Sequence, residues 1–282
     1  MRQLVEIADN RDSVSIIVGL TGAFEGIASM RIAQTKDQVQ RSSEFFAELW
    51  RIYNQIRVDE LFHFGRRQSS EQIISKELMI LVTSEGGFSG DIDERLINDA
   101  LKKYQSQNND IIVIGHHGLI LLQQRNVRPV RSFQLPKHDH SITAAPLIEE
   151  VLKYESTTVY YQSYQSLISQ DIKTIKLATA VAERGMAVTG GGETISESNY
   201  IFEPSTFDVV DHLERSMMQI TLSEVILESK LAQYASRFKA MSVAHERADE
   251  SLHELTWQYM RAKRHAKDER LKETINGLRN TQ

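Results

Sequence analysis

The chain of 282 residues contains no cysteine. That excludes a disulfide framework, a thiolate nucleophile and cysteine-ligated metal, and it suits a cytoplasmic setting. Proline is nearly as scarce: Pro129, Pro136, Pro146 and Pro204 are the whole set, and all four fall in the middle. Both ends are therefore free of the strongest helix breaker. There is no excess of positive charge; the formal net charge of −5 speaks against a general nucleic-acid binder. No stretch approaches the ~18 consecutive apolar residues of a membrane span, so no direct membrane insertion is expected and a membrane role has to pass through a partner. Arg2, Glu6, Asp9, Arg11 and Asp12 precede the first apolar run, unlike a secretory signal.

Chemical motifs are missing too. There is no G-x-S-x-G elbow and no H-E-x-x-H. Ser84–Gly90 (SEGGFSG) lies where a phosphate-binding loop would sit, between a strand and a helix. It matches neither G-x-G-x-x-G nor a P-loop, and a tight strand-to-helix turn is the better reading. Gly190–Gly192 reads as a linker. His116-His117 and the pair His138/His140 lack a carboxylate at ligand spacing, and adjacent histidines on a strand point to opposite faces. No catalytic residue, metal or cofactor is expected.

What the chain does have is length, 41% hydrophobic residues for a core, and one long repeat. Steps of four and three residues run through Leu213, Met217, Ile220, Glu224, Leu227, Leu231, Tyr234, Phe238, Met241, His245, Ala248, Leu252, Leu255, Tyr259, Ala262 and Ala266. Only Glu224 and His245 interrupt the apolar series, and no Pro or Gly lies between Ser205 and Asn276. The pattern predicts one helix of about 70 residues, on the order of 100 Å long. Such a helix must project and pair along one seam. His245 reads as an aromatic filler. Glu224 either pairs with Arg31 or Arg41, or sits where the coil opens.

A second long helix is expected from about Asp12 to Arg57. Ile17, Leu20, Phe24 and Ile27 form one stripe, and Phe46, Leu49, Tyr53 and Ile56 another in a shifted frame, with polar Gln34, Gln38 and Arg41 between. Gly19, Gly22 and Gly26 lie near one face, where they would permit close approach of a partner helix at a cost of about 1 kcal/mol each in helix propensity. In the middle the period changes. Glu77–Thr83, Ile111–Gly115, Thr157–Tyr161 and Ile172–Leu177 read as strands, and Asp93–Gln107 and Ala145–Tyr154 as helices. The fold class is thus α/β with a long antiparallel α-helical coiled coil: a helix in residues 1–60, a central Rossmann-like open α/β domain with linkers in 61–204, and a long helix in 205–282. The cations and acids from Arg261 to Glu273 suit either a solvated helix end or a ring of charge offered to a partner.

Five segments, in order, resemble the gamma subunit of F-type ATP synthases, the central rotor shaft. Leu20–Arg31 (LTGAFEGIASMR) is similar to I-T-x-A-M-x-x-V-A-x-x-K, and Val82–Gly90 to I-T-S-D-R-G-L-C-G. Ile111–Gly115 resembles a segment ending in V-x-G, and Tyr200–Pro204 (YIFEP) resembles Y-x-Y-E-P. Glu228-Ser229 with Ala235–Met241 (ASRFKAM) resembles E-S…A-S-R-M-x-A-M. The chain departs from the family's terminal signature, R-A-R-Q-A-x-I-T-x-E, with Lys263-Arg264 for the R-Q pair and Lys267–Arg270 for the I-T-x-E core.

The resemblance implies a non-catalytic subunit of a divergent type, coupling ion-driven rotation of a membrane c-ring to ATP synthesis or hydrolysis in a hexamer of alpha and beta subunits. It implies that Phe24, Arg237, Arg261, Lys263, Arg264, Asp268 and Arg270 face the hexamer. Tyr200, Phe202 and Glu203 would lie in the foot, at the c-ring, with the epsilon subunit alongside. The complex would sit on the cytoplasmic face of the cell membrane. Rival readings are a coiled-coil scaffold with an α/β docking domain, a nucleotide-dependent enzyme with helical arms, the shaft of a specialised rotary ATPase, and a vacuolar-type rotor.

Overall fold

In a computed structural model the described residues are 2–55, 73–135, 144–186, 203 and 205–279. Two helices dominate: α1 (Arg2–Gln55) and α6 (Thr206–Arg279). Between them lie β1 (Ile74–Val82), α2 (Ile92–Lys103), β2 (Asn109–Ile114), α3 (His116–Gln124), β3 (Arg131–Phe133), α4 (Ala145–Val151), β4 (Tyr154–Tyr164), β5 (Gln170–Lys176) and α5 (Leu177–Met186). The sheet order is β3-β2-β1-β4-β5. β1 runs parallel to β2 and β4, β2 parallel to β3, and β5 closes the edge antiparallel to β4. The α/β class with flanking long helices is what the sequence leads one to expect.

The chain divides into two compact units, one of Met1–Ala28 with Phe238–Gln282 and one of Ser29–Arg237. In the second, alternate residues of each strand feed opposite cores. Leu78, Ile80, Val82, Ile112, Ile114, Val159 and Tyr161 face Phe46 and Trp50 of α1, Leu147, Ile148 and Val151 of α4, and Met217, Leu222, Val225 and Ile226 of α6. Met79, Leu81, Ile111, Val113 and Tyr160 face Leu96, Ile97 and Ala100 of α2 and Leu122 of α3. In the first unit α1 and α6 pair antiparallel: Thr21 meets His245, and the Arg11 guanidinium lies 4.7 Å from the centre of the Tyr259 ring.

α6 begins on a serine N-cap. The Ser205 hydroxyl accepts the Asp208 N–H at 3.1 Å and donates to the Asp208 carboxylate at 2.6 Å. All sixteen seam positions are buried or half-buried. From Ser216 to Phe238 no side chain is exposed at all, because this stretch packs on the sheet as well as on α1. Beyond it, cover narrows to the seam and its flanks at Ala240, Ser242, Ala244, Asp249 and Gln258. Glu224 is half-buried and helps push the Tyr161 phenol of β4 up to about 12, burial being the largest cause, Glu228 the next and Glu224 the last. Arg41 pairs with Asp37 on its own helix.

α1 differs from expectation in three ways. It starts at Arg2, ten residues early. Its covered face is Ile7, Arg11, Val14, Val18, Thr21, Glu25, Ala28, Ile32, Thr35, Val39, Ser42, Phe46 and Leu49, a single register with no frame shift. The stripe Ile17, Leu20, Phe24 and Ile27 lies on the outside instead, 48%, 52%, 38% and 50% exposed. The glycines do not form a contact face either. An added Cβ at Gly22 would meet the His245 ring at 3.3 Å, whereas Gly19 and Gly26 face open space.

Candidate functional site

Three surfaces carry what a binding role would need. The first is the outer face of α1. Ile16, Ile17, Leu20, Phe24, Ile27 and Met30 stand exposed along one stretch of a helix whose other face is already packed. Isolated exposed apolar residues need no explanation, but a continuous row of large ones marks an interaction surface. This row also corrects the expectation that no stretch is apolar enough to span a membrane: within Leu4–Ile52 an 18-residue window reaches a mean hydropathy of 1.5. The cause is that Gly, Ala, Ser and Thr separate the large apolar residues without adding charge. The same helix gives its other face to α6 through Val18, Thr21 and Ala28, with the Thr21 hydroxyl capping the Ile17 carbonyl at 2.8 Å.

The second surface is the end of α6. Trp257, Met260, Leu271 and Ile275 are exposed. The Arg261 guanidinium lies 5.6 Å from the Trp257 ring centre, and the Lys263 ammonium 5.7 Å from that of Tyr259. These contacts fix the cations beside apolar surface, a pairing worth about 0.5–1 kcal/mol when exposed. Arg264, Asp268 and Arg270 are exposed on the same helix. Glu203 is exposed, while Tyr200 and Phe202 lie outside the described residues.

The third is the turn between β1 and α2. Here the sequence reading of a tight turn holds, with Phe88 (φ 66°) and Gly90 (φ 64°) both in the left-handed region. Arg237, grouped by sequence with the α6 tip residues, belongs to this turn. Its guanidinium donates to the Gly87 and Gly86 carbonyls at 3.3 and 3.4 Å. Burial lowers its pKa from the ordinary arginine value, with Tyr234 and Asp93 pushing back. The Ser236 hydroxyl donates to the Ser89 carbonyl at 2.6 Å.

Beneath the turn lies a polar cluster that sequence reasoning missed. Asp93 is fully buried. Its carboxylate accepts the Ser84 N–H at 3.3 Å, the Ser84 hydroxyl, the Gln162 amide at 2.8 Å and His117 Nδ1 at 2.7 Å. Gln162 Oε1 in turn accepts from the Ser229 hydroxyl and, at 3.2 Å, from Gln233, both on α6. His116 and His117 open α3 and are not on a strand; Gly115 (φ 99°) makes that turn, and the His117 N–H bonds the Ser84 carbonyl at 3.0 Å. His117 thus has the carboxylate partner that local spacing did not show, because the parallel pairing of β1 and β2 brings it there. Among the described residues, no group of three or more His, Asp or Glu is arranged to hold a metal.

Comparison with known proteins bears on the family and the fold. The family model described as ATP synthase matches residues 3–279. The chain is 23% identical to the ATP synthase gamma chain of Cytophaga hutchinsonii and 26% identical to that of Geobacter metallireducens, each alignment covering 98% of both chains. Among solved structures it is similar to a chain in the central stalk and c-ring of Tetrahymena thermophila mitochondrial ATP synthase (TM-score 0.56, 15% identity, 80% of this chain and 99% of that one). A chain of the Euglena gracilis mitochondrial ATP synthase is similar as well (TM-score 0.57, 11% identity, 96% and 94%). At those identities the solved structures speak to the fold alone.

Proposed function

The chain belongs to the ATP synthase family as one of its gamma chains, and from that premise we propose how its surfaces are used. It is a central-stalk subunit and carries out no chemistry itself; catalysis belongs to the beta subunits. Its task is to couple rotation of the c-ring to synthesis or hydrolysis of ATP in the alpha/beta hexamer. A rotor can do this only by contacts that differ between the states of the sites it serves, since a contact equal in all of them shifts no equilibrium.

The exposed row on α1, with Phe24 in it, and the aromatic-cationic end of α6 are the surfaces that face the hexamer. The observation that carries this reading is large apolar side chains standing in solvent on helices whose seam is already satisfied. Arg261, Lys263, Arg264, Asp268 and Arg270 supply the charges there. Arg237 acts from the turn, holding Gly86 and Gly87. In a complex reconstituted with alpha and beta subunits, alanine at Arg261, Lys263, Arg264 and Arg270 together should abolish ATP-driven rotation. Unchanged rotation would remove these residues from the interface.

Tyr200, Phe202 and Glu203 belong to the foot that meets the c-ring, with epsilon beside it. Replacing Tyr200 and Glu203 together should uncouple ion transport while leaving hydrolysis by the soluble head intact. The assembly is membrane-associated, and we place it on the cytoplasmic face of the cell membrane, held there through the c-ring. Protease access to α6 in inside-out vesicles but not in intact cells is the matching test.

A further inference from the structure

In an open sheet of this order the crossover direction reverses between β1 and β4, and the crevice at the carboxyl ends of those strands is where such folds take a ligand. Here α6 fills it. Ser229 and Gln233 reach Gln162 near the end of β4, Glu228 accepts the Ser163 hydroxyl at 2.7 Å, and Ser236 and Arg237 bind carbonyls of the turn after β1. The stalk helix therefore occupies the position of a bound ligand in its own α/β domain.

We propose that Asp93 and His117 are positioning residues for rotary coupling: they orient Gln162 so that it grips α6, and a proton on His117 tightens that grip. This rests on the gamma-chain reading above. Gln162 has one amide to spend two ways. Its NH₂ donates to Asp93, which leaves Oε1 directed at Ser229 and Gln233. A carboxylate can only accept, so Asp93 determines which way the amide points. His117 Nδ1 donates to the second oxygen of that carboxylate.

The groups around this pair are few. Arg237 approaches Asp93 from α6, and Glu85 lies in the turn, accepting the N–H groups of His116 and Leu135. His116 is the neighbour on α3, and β4 contributes uncharged Gln162. The bond to Asp93 raises the pKa of His117 above the ordinary 6.5, burial opposes, and the Asp93 charge adds to the rise. Because the folded value is the higher one, the contribution is complete below 6.5 and disappears as pH rises through the raised value. The junction is thus firmest in acid and loosens toward alkaline pH.

The test uses the chain assembled with alpha and beta subunits. Backbone hydrogen exchange in residues 229–237, corrected for the intrinsic rate, should show protection falling on the order of tenfold between acid and alkaline pH. ATP consumed per turn, read from a bead on the α/β domain, should rise over the same range. In His117→Gln, a change at a half-buried position that keeps a donor, both profiles should be flat. Asp93→Asn should raise consumption at every pH, and Gln162→Met, which removes the amide linking Asp93 to α6, should do the same. If His117→Gln keeps the wild-type pH profile, the proposal is wrong. Failure of the chain to assemble with alpha and beta at all would instead strike the gamma-chain reading.

Discussion

Gly115 shows how much one residue can decide. Its φ of 99° starts α3, and a Cβ there would come within 2.2 Å of the Thr83 carbonyl oxygen. Gly115→Ala should therefore cost about 2–5 kcal/mol, as strain and overlap combine, measured by urea unfolding. Gly86 and Gly87 face open space with no positive φ, so alanine at either should be tolerated in the same assay. At this scale the sequence was legible where chemistry is local. SEGGFSG was readable as a turn because Gly and Ser at a strand's end have few other uses. The Asp93–His117 pair was not, since its members are 24 positions apart and meet only through the pairing of two strands. Reading His116-His117 as strand hid the pair further. Nothing in the local pattern marks where a strand ends and a helix begins except the glycine between them.

For the elements, the outcome depended on which residues the partner tolerates. The α6 seam was legible at every one of its sixteen positions because all are covered and all but Glu224 and His245 are apolar. On α1 large apolar residues and covered positions do not coincide. The covered positions 14, 18, 21, 25 and 28 are Val, Val, Thr, Glu and Ala, while larger Ile, Leu and Phe stand outside. Hydrophobicity alone then selects the wrong face, because a helix with two partners carries two stripes and the larger one need not be the internal one. Two measurements follow. Gly19→Ala and Gly26→Ala should each stabilise the free chain by about 0.5–1 kcal/mol, as neither glycine is needed for packing. Gly22→Ala should gain less, since its Cβ must press on His245. Leu231→Ala, in the buried seam, should cost about 2–5 kcal/mol, whereas Leu271→Ala should stay within about 0.5 kcal/mol. Equal effects at the two leucines would contradict the seam.

The whole molecule has more apolar surface than its own packing uses. The outer row of α1 should be separable from stability. Replacing Ile17 and Leu20 by Gln should leave urea unfolding of the free chain within about 0.5 kcal/mol of wild type. It should also weaken capture by alpha and beta subunits by on the order of tenfold or more, by titration. Loss of stability instead would mean that the row is internal. The division into two compact units has a further consequence, for how the chain is made. The first unit joins Met1–Ala28 to Phe238–Gln282, segments that leave the ribosome far apart in time. With some two hundred residues between them and ribosomes adding about 5–20 residues per second, α1 waits roughly 10–40 s for its mate. During that interval both of its stripes are bare. A nascent chain of this design depends on whatever shelters α1 until α6 emerges, and a ribosome that stalls before then leaves α1 complete and unpaired.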